Sequence, residues 1–203
     1  MKLLSALFMT SLVLGAAAQP ALAAPALAAK PAAASSKTPQ AEPDTVVLSD
    51  TLHYDDVSKT STFTGNVVLT RGAMTLRADQ LTTHQDAQGN QTGTATADKG
   101  HQVNIRQENP LKFETLVGTG QQADYDGKSG DITLIGHAIV TRYICGQAFD
   151  NVQGARIVYH QKTGTYEAFG GKDSAAAGGR VRSLAQPQSR VDQAIAQCSA
   201  KRS

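Results

Sequence analysis

The chain has 203 residues, 40% of them hydrophobic, with 19 Lys and Arg against 17 Asp and Glu. That near balance excludes the strong basic footprint of a nucleic-acid-binding or membrane-surface protein. Trp is absent and only 5% of residues are aromatic, so any core must be filled by smaller side chains.

Residues 1–28 read as a secretory signal peptide. Lys2 is followed by "LLSALFMTSLVLGAAA", and Ala21-Leu22-Ala23 and Ala26-Leu27-Ala28 offer competing cleavage sites. The apolar run is too short for a comfortable membrane span of about 20 residues. No Cys lies near the cleavage sites, which closes the lipoprotein route. Residues 29–43 are Ala, Pro and Ser with little to bury, a disordered leader by composition. Residues 44–172 are enough for one domain. Residues 173–203 are poor in large apolar side chains and read as a flexible tail. A short helix near Arg190 to Gln197 is suggested there by Ser189 and Asp192.

Within 44–172 the hydrophobic period is two, the signature of β-strands with one apolar face. In "TFTGNVVLT", Phe63, Gly65, Val67 and Leu69 share a face; in "DITLIGHAIVT", Ile132, Leu134, Gly136, Ala138 and Val140 do. Met74 with Leu76, Val103 with Ile105, and Phe113 with Val117 continue the pattern. Turn signals such as Gln88-Gly89-Asn90, Asp126-Gly127 and Thr163-Gly164 separate the runs. The strands also repeat. Residues 54–70 align with 125–141, and 120–136 align with 154–170, in gapless registers that keep Gly, Tyr and Lys in step. Repeats of this kind imply stacked units that bury their apolar faces against neighbours.

Catalytic and metal signatures are missing. His53, His84, His101, His137 and His160 have no ligand spacing, and His84 and His160 fall at matching places before turns, which marks a repeat position. Asp55 and Asp56 are adjacent, so in a strand they face opposite ways. No nucleophile elbow or phosphate loop is written. The expectation is a non-enzyme with no cofactor and no metal. Cys145 and Cys198, in an exported chain, are either a disulfide or two free thiols.

The run "VVLSDTLHYDDVSKTSTFTGNVVLTRGAMTLRADQL" resembles the opening of the OstA-like domain, and more closely the LptA family of periplasmic lipopolysaccharide-transport proteins. The carrying motifs are Ser49-Asp50, Phe-Thr-Gly-Asn-Val at 63 to 67 and the Ala-Asp step before Gln80. "GTGQQADYDGKSGDITLIGHAIV" and "VQGARIVYHQKTGTYEAFG" fit its second half. The resemblance implies an all-β fold, an open twisted antiparallel β-jellyroll of roughly 16 strands, located in the periplasm. It implies a groove for the acyl chains of lipid A in lipopolysaccharide, with no nucleic acid involved. Protomers would stack head to tail by edge strands between an inner-membrane-anchored LptC-type jellyroll and the periplasmic domain of an LptD-type translocon. The N-terminal edge would be Thr45 to Leu52. The groove would be lined by Val47, Phe63, Val67, Leu69, Leu76, Leu81, Val103, Ile105, Tyr125, Ile132, Leu134, Val140, Ile157 and Tyr159.

Two stretches depart from the family pattern: "RYICGQAFDN" is longer than its first-half counterpart, and the tail ends near Cys198. A tail stapled through Cys145 would cap the C-terminal edge and limit stacking. Three other readings are set against the conduit. An anchored C-type component would keep a transmembrane helix. A structural β-repeat protein or adhesin would have a filled core. A polysaccharide-active enzyme would need converging carboxylates.

Overall fold

A computed structural model describes residues 43–200. The expected signal peptide and nearly all of the expected leader lie outside the described residues. The strands are β1 (Thr45–Leu48), β2 (Thr51–Asp55), β3 (Thr60–Arg71), β4 (Met74–Gln85), β5 (Gln91–Thr96), β6 (Val103–Asn109), β7 (Glu114–Gly120), β8 (Gln122–Asp126), β9 (Asp131–Ile144), β10 (Gln147–His160), β11 (Thr165–Phe169) and β12 (Arg182–Leu184). One α-helix, α1 (Gln188–Ala200), follows.

All pairings among these strands are antiparallel and join them into one hydrogen-bonded network. The network folds into two layers. One layer runs β2, the first half of β3, the second half of β4, β5, β8, the first half of β9, the second half of β10, then β11. The other runs β1, the second half of β3, the first half of β4, β6, β7, the second half of β9, the first half of β10, then β12. Four long strands therefore serve both layers. Counting each of them twice reconciles the twelve continuous strands with the roughly sixteen expected of the jellyroll.

The repeated sequence marks where a long strand crosses between layers. Gly65 and Asn66 have φ of 81° and 48°; Gly136 and His137 have 73° and 49°. Each pair forms a bulge, two residues facing one on the neighbouring strand, and the register shifts there. The bulges are held alike. The Asp50 N–H donates to the Gly65 carbonyl at 2.9 Å, and the Gln121 N–H donates to the Gly136 carbonyl at 3.0 Å. Turns repeat as well. Asp55 accepts the N–H groups of Val57 and Ser58 as Asp126 accepts those of Lys128 and Ser129. His84 pairs across the sheet with Thr60 and His160 with Asp131, and the 71-residue offset makes Thr60 and Asp131 equivalent.

Of residues 173–203, expected as a flexible tail, the described part, 173–200, carries β12 and α1. The His137 N–H donates to the Asp173 carbonyl at 2.7 Å, and the Ala175 N–H to the Gly154 carbonyl at 3.2 Å. Helix α1 begins at Gln188, so Ser189 lies inside its first turn rather than capping it. Its apolar residues Val191, Ala194, Ile195 and Cys198 fall at i, i+3, i+4 and i+7, one stripe of a helix. The first three pack on Ile144 and Phe149 beside the β9–β10 turn, and Cys198 forms a disulfide with Cys145, Cα atoms 6.2 Å apart.

Several turn carboxylates are tuned by these contacts. Backbone N–H groups of Ser58 and Val57 hold the Asp55 carboxyl below the usual range, and the Asp98 N–H, then His101, do so for Asp79. Asn90 lowers Asp86, and His160 lowers Asp131. A carboxyl depressed in the folded state stabilises it fully above the unfolded value, about pH 4, and loses that contribution as pH falls through the folded value. Stability measured by urea unfolding should thus fall as pH drops below about 4. Asp79→Asn should flatten that acid slope; an unchanged slope would show that Asp79 is not part of it.

Candidate functional site

Cross-strand register strings the inward side chains into rungs that span a whole layer. One rung is Leu52, Phe63, Leu81, Ala95, Ala123, Leu134, Ile157 and Ala168. In the facing layer, another is Val47, Leu69, Leu76, Ile105, Gly118, Val140 and Val152. Between them lies the main apolar core.

The interior is packed unevenly. Val67, Val103, Leu134, Ala138, Val152 and Ile157 are closed off from solvent. Towards β1 to β5 and β8 the layers leave an open cavity of about 800 Å³. Its apolar wall includes Val47, Phe63, Leu69, Leu76, Leu81, Ala95, Ile105, Ala123, Tyr125 and Ile132. Small residues make this room: Gly93, Ala95 and Ala123 stand on adjacent strands where a Leu or Ile would fill the space. Lys59, Arg71, His84 and Lys162 line it too, against Asp124 as its one carboxylate among the described residues.

The fourteen residues expected on the groove divide accordingly. Val47, Phe63, Leu69, Leu76, Leu81, Ile105, Tyr125 and Ile132 wall the cavity. Val67, Val103, Leu134 and Ile157 are buried in the core away from the cavity wall, with Val140 packed against them, while Leu76 and Leu81 belong to both core and wall. Tyr159 is half-buried on a third rung that also carries Tyr54, Tyr125 and Tyr166, outside both the cavity wall and the core. The expected edge Thr45 to Leu52 is split. β1 covers the second half of β3, and β2 covers the first half, because Asp50 turns the chain at the bulge.

Among the described residues, the two outer edges are apolar as well as unpaired. Val46, Leu48, Leu52 and Tyr54 are exposed on β1 and β2. Tyr166, Phe169, Val181 and Leu184 are exposed on or beside β11 and β12. The Arg156 guanidinium lies 4.1 Å from the centre of the Phe169 ring, which orients that edge. At the far end of the second layer, Arg142 bridges Glu114 and Asp150. Burial opposes its charge, but Asp150 and Glu114 more than compensate and raise its pKa.

Among the described residues the arrangement offers an apolar trench and two strand edges. Among the described residues no group of three or more His, Cys, Asp or Glu is placed to hold a metal ion. No helix among them is long and apolar enough to cross a membrane.

Residues 46–165 match the family described as the LptA/(LptD N-terminal domain) LPS transport protein, more than half of the chain. A search of curated proteins matched none. Among solved structures, the chain is similar to LptH, the LptA-homologous periplasmic component of the lipopolysaccharide transport device of Pseudomonas aeruginosa. The identity is 22%, over 71% of this chain and 96% of that one, with a TM-score of 0.60, a likeness of fold. The chain belongs to the LptA/LptD N-terminal-domain family of lipopolysaccharide transport proteins, a family of carriers and not of enzymes.

Proposed function

We propose that this protein carries lipopolysaccharide through the periplasm, with lipid A acyl chains lying in the cavity between the two layers. The observation that carries the reading is the cavity of about 800 Å³, apolar along the inner rungs, in a chain of this family. Acyl burial at about 25 cal/mol per Å² would hold the lipid, and the energy for directed flow is supplied by other components. The exposed apolar edges support addition of one β-jellyroll to the next. The β1–β2 edge faces an inner-membrane-anchored LptC-type jellyroll, and the β11–β12 edge faces the periplasmic domain of an LptD-type translocon, with further copies between.

Photo-crosslinking in living cells tests this. A probe at Ile105 or Tyr125, on the cavity wall, should give a lipopolysaccharide adduct. A probe at Thr133, whose neighbours Ile132 and Leu134 on β9 face inward, should give none. Adducts at neither cavity position would sink the conduit reading and favour a structural β-protein.

A further inference from the structure

We infer that the disulfide-held C-terminal segment is half of a docking edge: β12 is the strand onto which β1 of a second copy adds. The inference rests on the stacking reading above and goes beyond it, since β12 and α1 follow the residues that match the family.

Strand order carries the argument. In each layer every neighbour is antiparallel, so directions alternate. The first layer has eight segments, from β2 to β11, which therefore run oppositely. A copy translated along the stack presents β2 to β11 as another antiparallel pair. The second layer reaches eight only by counting β12. Without it the layer ends on β10, which runs in the same direction as β1. The next copy would then meet an antiparallel junction in one layer and a parallel one in the other, with different hydrogen-bond spacing. With β12 in place, both junctions are antiparallel.

The two surfaces also correspond. Val46 and Leu48 are exposed on β1, as are Val181 and Leu184 at β12. Asp44 and Asp50 flank β1, while Arg180 and Arg182 flank or lie on β12.

β12 cannot hold this place unaided. It has three residues, all exposed, paired to Gln153, Val152 and Asn151. It is anchored on both sides: before it the Gly171 N–H donates to the Gly179 carbonyl at 2.8 Å and Ser174 Oγ to the Arg180 carbonyl at 2.6 Å, and after it the Gln186 N–H donates to Asp150 at 2.8 Å and α1 buries Val191 against Ile144 and Phe149. A helix of 13 residues is marginal alone. The Cys145–Cys198 bond closes a span of 53 residues and pins the far end of α1. Opening that bond lets α1 and then β12 leave the edge.

The test uses the full chain purified from an oxidising compartment. Self-association is measured by sedimentation before and after treatment with a water-soluble phosphine. The phosphine converts the disulfide to two thiols and, with oxygen from water, becomes its oxide. Cys145→Ser/Cys198→Ser and Val191→Asp are measured alongside, the second disturbing α1 without removing the bond. Reduction and both variants should raise the association Kd by about tenfold or more, the loss of one junction of two. Hydrogen exchange should quicken across 182–200 while β3 and β4 stay protected. An unchanged Kd with 182–200 exchanging freely overturns the inference and leaves stacking intact. Tighter association on reduction overturns it too, since the segment would then be a cap. An oxidised wild type that never associates overturns both this inference and the stacking reading.

Discussion

Ala123→Phe is expected to cut lipopolysaccharide binding by roughly a hundredfold or more while leaving the fold in place. Ala123 sits mid-rung between Ala95 and Leu134, with its methyl on the cavity wall. A phenyl ring there enters the space left for ligand and displaces on the order of 150 Å² of acyl contact. At about 25 cal/mol per Å² that is about 4 kcal/mol, more than the ~2.8 kcal/mol that a hundredfold requires. Ala123 is itself buried in the main core, so the added ring should cost the ~1–3 kcal/mol of ordinary overpacking. Crosslinking from Ile105 reads the binding, and thermal unfolding reads the fold. Undiminished adduct from a folded variant would place the lipid elsewhere.

Gly136→Val is expected to destabilise by about 3 kcal/mol, a fall of about 10 °C in Tm for a domain of this size. At φ of 73° an L side chain costs about 1–2 kcal/mol, and a β-branched one more. A Cβ there would also lie 2.9 Å from the Gln121 Cδ, so that side chain must move. Gly65→Val should behave alike, since its Cβ would lie 2.9 Å from the Asp50 Cγ. Gly89→Val is the control, with φ of 84° but open space around it. It should lose only the conformational part. Equal losses at all three positions would show that close approach at the bulges adds nothing.

These glycines show how far the sequence could be read. Their recurrence at a fixed offset was visible, and so was the alternation that put Phe63, Leu69 and Leu134 on one face. The crossing between layers was not, because a bulge is a two-against-one pairing and needs the partner strand. At Gly154 the parity of β10 flips, so counting back by twos from Ile157 lands on Gln153 and misses Val152, which is buried. Ala95 and Ala123 were missed for another reason: a groove is made by side chains too small to attract notice. In the tail, few residues are large, and that composition by itself reads as flexible. Yet Val191, Ala194, Ile195 and Cys198 already wrote a helical stripe, with the cysteine on it.

In an ordinary β-sandwich the sheets stay about 10 Å apart because their side chains interdigitate, so removing the filling lets them settle together. Here four continuous strands turn the corner from one layer to the other. The aperture is therefore set by backbone, as a frame sets a doorway. On the proposed reading, the passage has no need to be rebuilt between one lipid and the next.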